Sequence, residues 1–336
     1  MSSMFTPDQG FFVRTPSWHR LEKHVLDDWP GTWAEAARLS GVADWDPIST
    51  PAYHQNEMDS THQAWGDFVL DENWQRISRS DNGYTLSYQE TSYRVIKNTE
   101  FGAVIESVLG MDLGEELAYE GVFELDGGRM VVAVLYWKDG LQVPGDPSKT
   151  VRYAVFVTRH DGQGGLRCLL TNVRVVCANT LAMAEDGSSE GATGFSIRHT
   201  ANWDAKVAEV RERMLESRQG AETYLETMAT LAAFKVNVRQ REHFLRQLLP
   251  IGDDMGRQQQ VNRDKERMTI RNLLEGPTCE HISDTAYGLL QATTEWSDHY
   301  RREPGTADAY VKRQLTTTHD MKGKGLRLVK AMASRG

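Results

Sequence analysis

The sequence predicts an α+β fold: an antiparallel β-meander core of five or more strands, with N-terminal helical and aromatic elements over it and a C-terminal helical region after it. Three observations carry this. Strand-like runs with alternating apolar positions cluster between about residues 80 and 200. Short turn-forming segments rich in Gly, Asp and Pro join them, which favours antiparallel neighbours over crossovers. Helix-period stripes follow as a block from about Asp204 instead of alternating with the strands.

The chain has 336 residues, 40% of them hydrophobic, enough to bury a substantial core. It divides into Trp-rich elements packed on the core (1–80), a hairpin, helix and meander core (81–203), and a helical region with a basic tail (204–336). Six of the nine tryptophans fall in the first part, and they read as a packing layer over the following sheet. There "GTWAEAARLSGV" reads as a short helix with Trp33, Ala36, Ala37 and Leu39 near one face and Gly41 as its terminator. Pro47 and Pro51 then force an extended connection.

Residues 80–98 read as a hairpin, Tyr84, Leu86 and Tyr88 alternating before a Gln89-Glu90-Thr91 turn and Tyr93 and Val95 after it. Asn98 or Thr99 caps a helix striped by Phe101, Val104, Ile105 and Val108 and stopped at Gly110. Four strands follow, at about 117–125, 129–137, 150–159 and 166–177, and "FSIRHT" adds a short fifth. The last strand puts Cys177 on an apolar face, followed by a helix start at Asn179 or Thr180. A thiol there packs as a small hydrophobe; His199 or His160 is the conceivable base for a nucleophile, but no orienting third residue accompanies them. Beyond Asp204 come "DAKVAEVRERMLESRQGAETYLETMATLAAF", "REHFLRQLL", "GRQQQVNRDKERMTIRNLLEG", "DTAYGLLQATTEWSDHYRRE" and "DAYVKRQL". The final "MKGKGLRLVKAMASRG" is basic and reads as an exposed, disordered end.

No apolar run is long enough to span a membrane, and the start lacks a basic segment followed by an apolar one, so a cytoplasmic protein is expected. Three cysteines without a C-x-x-C pair support neither a disulfide framework nor a zinc knuckle. The net charge of −9 is uneven. Residues 1–150 carry 11 Lys+Arg against 24 Asp+Glu (−13), and 151–336 carry 27 against 23 (+4). Within this, 81–128 is at −8 and 129–180 at +4. Such separation steers an anionic ligand to one face, or lets an acidic edge meet a neighbour's basic one.

No phosphate-binding glycine loop, dinucleotide fingerprint, zinc-protease helix or serine-hydrolase elbow is present, so no enzyme activity and no cofactor are expected. Asp112, Glu115, Glu116, Glu120, Glu124 and Asp126 are the carboxylates that a metal-dependent nuclease would draw on. Glu115 and Glu116 read as ordinary turn surface, no lysine sits one residue beyond a strand acid where a nuclease would need it, and no metal ligand is assigned. His199 and His281 read as surface or capping residues.

Several segments taken together resemble the uncharacterised phage/plasmid-like proteins, domain of unknown function 932. They are "WHRLEKHVLDDWPGTWAEAARLSGVADWD", "YRVIKNTEFGAVIESVLG", "LLTNVRVVCANTLAMA" and "SIRHTANWDAKVAEVRERM", which span about residues 15–235, with the tail beyond about 250 less constrained. The resemblance implies a mobile-element setting and no catalytic residue. Two functions of different class follow. One is a single-stranded DNA-binding protein that promotes annealing and recombination as a homo-oligomer without nucleotide hydrolysis. The other is a non-enzymatic host-interaction or antidefence protein whose partner is a host protein. For the first, the candidate contacts are Lys138, Arg152, Arg167, Arg174 and Arg198 for phosphates, with Tyr136, Tyr153 and Phe156 for bases. Alternation along the strand puts Arg152 with Phe156 and turns Tyr153 the other way, so they cannot all line one groove.

Overall fold

The computed structural model describes residues 10–13, 25–55, 68–110, 117–138, 140–174, 195–197, 210, 212, 223–300 and 321–334. The fold is α+β. Its centre is an eight-stranded sheet of β1 (Gly10–Val13), β2 (Val25–Leu26), β6 (Leu117–Leu125), β7 (Met130–Trp137), β8 (Leu141–Gln142), β9 (Lys149–Arg159), β10 (Leu166–Arg174) and β11 (Phe195–Ile197). The order is β11-β10-β9-β7-β6-β1-β2, with β8 on β9; all pairs are antiparallel except β1 with β2. The four-strand meander therefore forms as consecutive neighbours.

A second, three-stranded antiparallel sheet holds β3 (Pro47–Gln55), β4 (Phe68–Arg79) and β5 (Thr85–Glu90). It corrects the expected hairpin. Strand Thr85–Glu90 turns back at Asp81–Gly83 and pairs with the segment before it, while Tyr93 and Val95 lie outside any strand. The Asn-Gly pair explains this: Asn82 accepts from the Tyr84 N–H at 2.9 Å, and Gly83 takes φ +71°, which a side chain disfavours.

Helix α1 (Trp33–Leu39) is capped by Thr32, and α2 (Asn98–Leu109) packs the stripe Phe101, Val104, Ile105 and Val108 under the sheet. Asn98 is not its cap. Its amide donates instead to the carbonyls of Trp45 (2.8 Å) and Val42 (3.3 Å), a tertiary contact that local pattern cannot reveal. Trp33 and Trp45 are buried in this core, whereas Trp74 on β4 is exposed, so the aromatic layer is only partial.

The helical region has its own core. It comprises helical residues 223–233, α3 (Val238–Leu248), α4 (Arg257–Leu274), α5 (Ala286–Glu295) and α6 (Met321–Ala333). Helix α5 is buried along its whole length, and the others pack around it. The expectation of a disordered basic end fails: α6 crosses α5, with Gly325 against Thr293 and Leu290, and buries Leu326 and Val329. A side chain at 325 would meet Thr293 at 3.2 Å, so the small residue permits the approach. The β8–β9 loop joins the two cores. Val143 packs among the helices, and the buried Asp146 carboxylate meets His281 Nε2 at 3.0 Å and accepts from the Tyr287 hydroxyl at 3.1 Å.

Candidate functional site

At one end of the main sheet, on the face away from α1 and α2, lies an aromatic ladder; further along that face Val132, Val134, Val155 and Val157 are buried. Cross-strand pairing sets Tyr136 of β7 opposite Tyr153 of β9, with ring centroids 5.9 Å apart. Tyr136 also stacks on Trp29, 6.1 Å between centroids and 2° between planes. The Lys138 ammonium lies 5.5 Å from the Trp29 ring centroid, within cation–π range. Trp29 is held by its indole N–H, which donates to Glu120 at 3.1 Å. Glu120 sits where the β6–β7 register slips between Tyr119 and Gly121, a bulge that re-aims a side chain off the alternation. The three rings are half-buried and Lys138 is exposed. Chemically the group is a row of π-faces with the Lys138 cation at its edge.

The expected contacts thus divide. Tyr136, Tyr153 and Lys138 come together. Arg167 stands opposite Val157, on the face that Tyr153 uses but four residues along β10 from Thr171, the partner of Tyr153. Arg152 and Phe156 are on the opposite face and are corrected as DNA contacts: Phe156 is wholly buried, and the buried Arg152 guanidinium lies 5.0 Å from the Trp137 ring centroid. Arg174 stands in register with Thr150, and Arg198 lies outside the described residues, as do Cys177 and His199. Trp29 is the member that sequence reasoning missed. It comes from a connection that shows no periodicity, and only the bulge at Glu120 brings it to the sheet.

A second grouping of similar residue types lies near the β6–β7 turn. Arg79 donates through Nη1 to both Glu124 oxygens at 2.8 Å, and through Nε and Nη2 to Asp81 at 3.0 and 2.9 Å. Its guanidinium lies 4.1 Å from the Trp45 ring centroid, and the Trp45 indole donates to Glu124 at 2.8 Å. Burial pushes the Glu124 carboxyl up, while hydrogen bonding to Arg79 holds Asp81 below the usual carboxylate range. Gly128, at φ +92°, lets the chain pass: a side chain there would lie 2.8 Å from both Arg79 and Trp45. This is an internal knot tying β4 to β6, with its donors committed.

Of the carboxylates considered for metal, Glu120, Glu124 and Asp126 are bound to Trp29, Arg79 with Trp45, and Arg129 respectively. Asp112, Glu115 and Glu116 lie outside the described residues. Among the described residues no three His, Cys, Asp or Glu gather as a metal site, and no helix is long and apolar enough to cross a membrane. His160 is buried with its ring edge-on to Trp45 at 5.8 Å, and His281 is the Asp146 partner described above.

Residues 85–330 match a family model described as Domain of unknown function (DUF932). The match runs on past residue 235, where the resembling segments ended, and leaves out the Trp-rich segment in which the resemblance began. No curated protein matches, and no solved structure does.

Proposed function

The chain belongs to the DUF932 family, and from that premise we propose that it binds single-stranded DNA at the Trp29–Tyr136–Tyr153 end of its main sheet and promotes strand annealing as a homo-oligomer, without nucleotide hydrolysis. The observation that carries the reading is the Trp29–Tyr136–Tyr153 ladder with Lys138 beside it. Every base has a π-face, so stacking on such rings tolerates any sequence, while a neighbouring cation meets phosphate. The proposed setting is the cytoplasm of a bacterium carrying a mobile element.

The net charge of −9 opposes DNA at long range. Much of the acidity in 81–128 is spent internally, however. Asp81 and Glu124 bind Arg79, Glu100 binds Arg94, Glu120 binds Trp29, and Asp126 pairs with Arg129. Glu106 accepts from the Trp33 N–H and the Tyr119 hydroxyl. The pairs with Arg79, Arg94 and Arg129 soften the local field of this segment, whereas the neutral donors on Glu106 and Glu120 leave their charge in place, and the net charge of −9 is unchanged.

Anisotropy of a labelled oligothymidine, titrated across a salt series, tests the reading. Affinity is expected to fall with salt, and Lys138→Ala to reduce the log–log slope by about 0.7, one single-strand phosphate contact. Absence of any binding at low salt contradicts it.

A further inference from the structure

Positive charge is concentrated in the helical region. Helices α3, α4 and α6 hold twelve Lys and Arg against three acids, in a chain whose net charge is −9. Each of those acids is already in an ion pair: Glu242 with Arg271 at 2.6 Å, Asp264 with Arg267 at 3.2 Å, and Glu266 with Arg263 at 2.9 Å. The loop between α3 and α4 adds two exposed acids, Asp253 and Asp254, which leaves twelve against five.

The cations follow a path. Arg239, His243 and Arg246 stand four and three residues apart on α3, so they share one face of it, and all three are exposed. The two arginines are about 10 Å apart along the helix axis, and neither is in a hydrogen bond or ion pair among the described residues. At the C-terminal end of α3 the path meets the other two helices. Lys324 of α6 donates to the Leu248 carbonyl at 2.8 Å, and Arg267 of α4 donates to the adjacent Leu249 carbonyl at 3.1 Å. Burial, and then the charges of Arg263 and Arg327 nearby, hold the Lys324 ammonium below the usual lysine range. Cations gathered in this way repel one another, and a bound anion relieves the repulsion.

We propose that this strip, from Arg239 along α3 to the corner with α4 and α6, holds phosphates of single-stranded DNA. Arg239 and Arg246 each meet one phosphate. Lys324 spends one of its three N–H donors on Leu248 and adds to the field at the end of the strip. A phosphodiester chain repeats its charge along its length, as the strip does, and a contact of this kind carries no sequence preference. The proposal rests on the DNA-binding reading above and adds to it a second contact, electrostatic where the ladder is a stacking one.

Anisotropy of labelled oligothymidine across a salt series, with the full chain, tests it. Arg239→Ala with Arg246→Ala is expected to lower the log–log slope by about 1.4, two single-strand phosphate contacts. Both side chains are exposed and make no bond, so the melting temperature is expected to match the wild type. Arg239→Lys with Arg246→Lys keeps the charge and is expected to keep the slope. Lys265→Ala is the control: it removes an exposed cation two residues beyond Arg263, on the other side of α4, and is expected to leave the slope as it was. A double-alanine variant with the wild-type slope, a lysine variant that loses slope as the alanine variant does, or a Lys265 control that loses as much per charge overturns the strip. The ladder is read separately, because Tyr136→Ala with Tyr153→Ala removes stacking and no charge, and so lowers affinity at every salt concentration without changing the slope. A wild type with no affinity for the oligonucleotide overturns both contacts, whereas a wild-type slope in the double-alanine variant overturns the strip alone.

Discussion

Two groupings of cation, aromatic ring and carboxylate sit on the same sheet, and they differ in what they leave open. Around Arg79 the guanidinium spends its donors on Glu124 and Asp81 and lies against Trp45, with Arg79 and Glu124 buried. Around Trp29 the carboxylate of Glu120 accepts from the indole, while Lys138 is exposed and the rings of Tyr136 and Tyr153 stay half-buried. The same residue types make a buried knot around Arg79 and a partly exposed row of rings around Trp29. Residue type alone therefore does not mark a site; exposure of the rings and of the cation beside them is what separates the two groupings.

The largest expected effect is at the knot. Arg79→Ala strips Glu124 of its charge partner inside the fold and is expected to destabilise by about 3–5 kcal/mol, the usual result of breaking a buried pair. Lys138→Ala, measured by the same urea denaturation, is expected to cost no more than about 0.5 kcal/mol. Equal losses would erase the distinction between the two groupings. Arg152→Ala sharpens it from the opposite face. Its guanidinium packs on Trp137, so the change is expected to lower stability by about 1 kcal/mol, as for a cation–π contact removed, and to leave the salt dependence of DNA binding as it was. A reduced slope would put Arg152 back among the phosphate contacts.

At the knot a pH dependence is also expected. Asp81 is held below its ordinary range by hydrogen bonding to Arg79, so its folded form binds a proton less readily than the unfolded chain. The stability it contributes is fully present above the ordinary carboxylate range and is lost as pH falls through the lowered folded value. Asp81→Asn should therefore narrow its deficit against wild type as pH drops from neutrality towards 3, by up to about 1 kcal/mol for a partly exposed pair. A deficit that does not change with pH would mean that Asp81 acts by packing and not by charge.

The sheet was legible because its signals are local. The meander strands alternate, and Gly, Asp and Pro mark their ends. The β4–β5 hairpin was misread because the tyrosine alternation runs through Tyr93, whereas the Asn82-Gly83 turn chemistry decides the pairing. The packed C-terminal helix was hidden for a different reason: its two glycines and four cations look like a solvated tail until α5 is there to receive Gly325 and Leu326. Tyr136, Tyr153 and Lys138 could be named from the strand pattern, and the alternation already warned that Arg152 and Phe156 face away. Trp29 could not be named, since a bulge one residue long brings it to the ladder and no periodicity announces a bulge.

The platform itself is tested most directly by oligothymidine affinity at one low salt concentration for wild type and for Tyr136→Ala with Tyr153→Ala. Loss of two stacking faces predicts a drop of at least about ten-fold, at about 1–3 kcal/mol per base, with the thermal melt confirming that the variant is folded. A folded double variant that binds as tightly as wild type would contradict the assignment of DNA binding to this face.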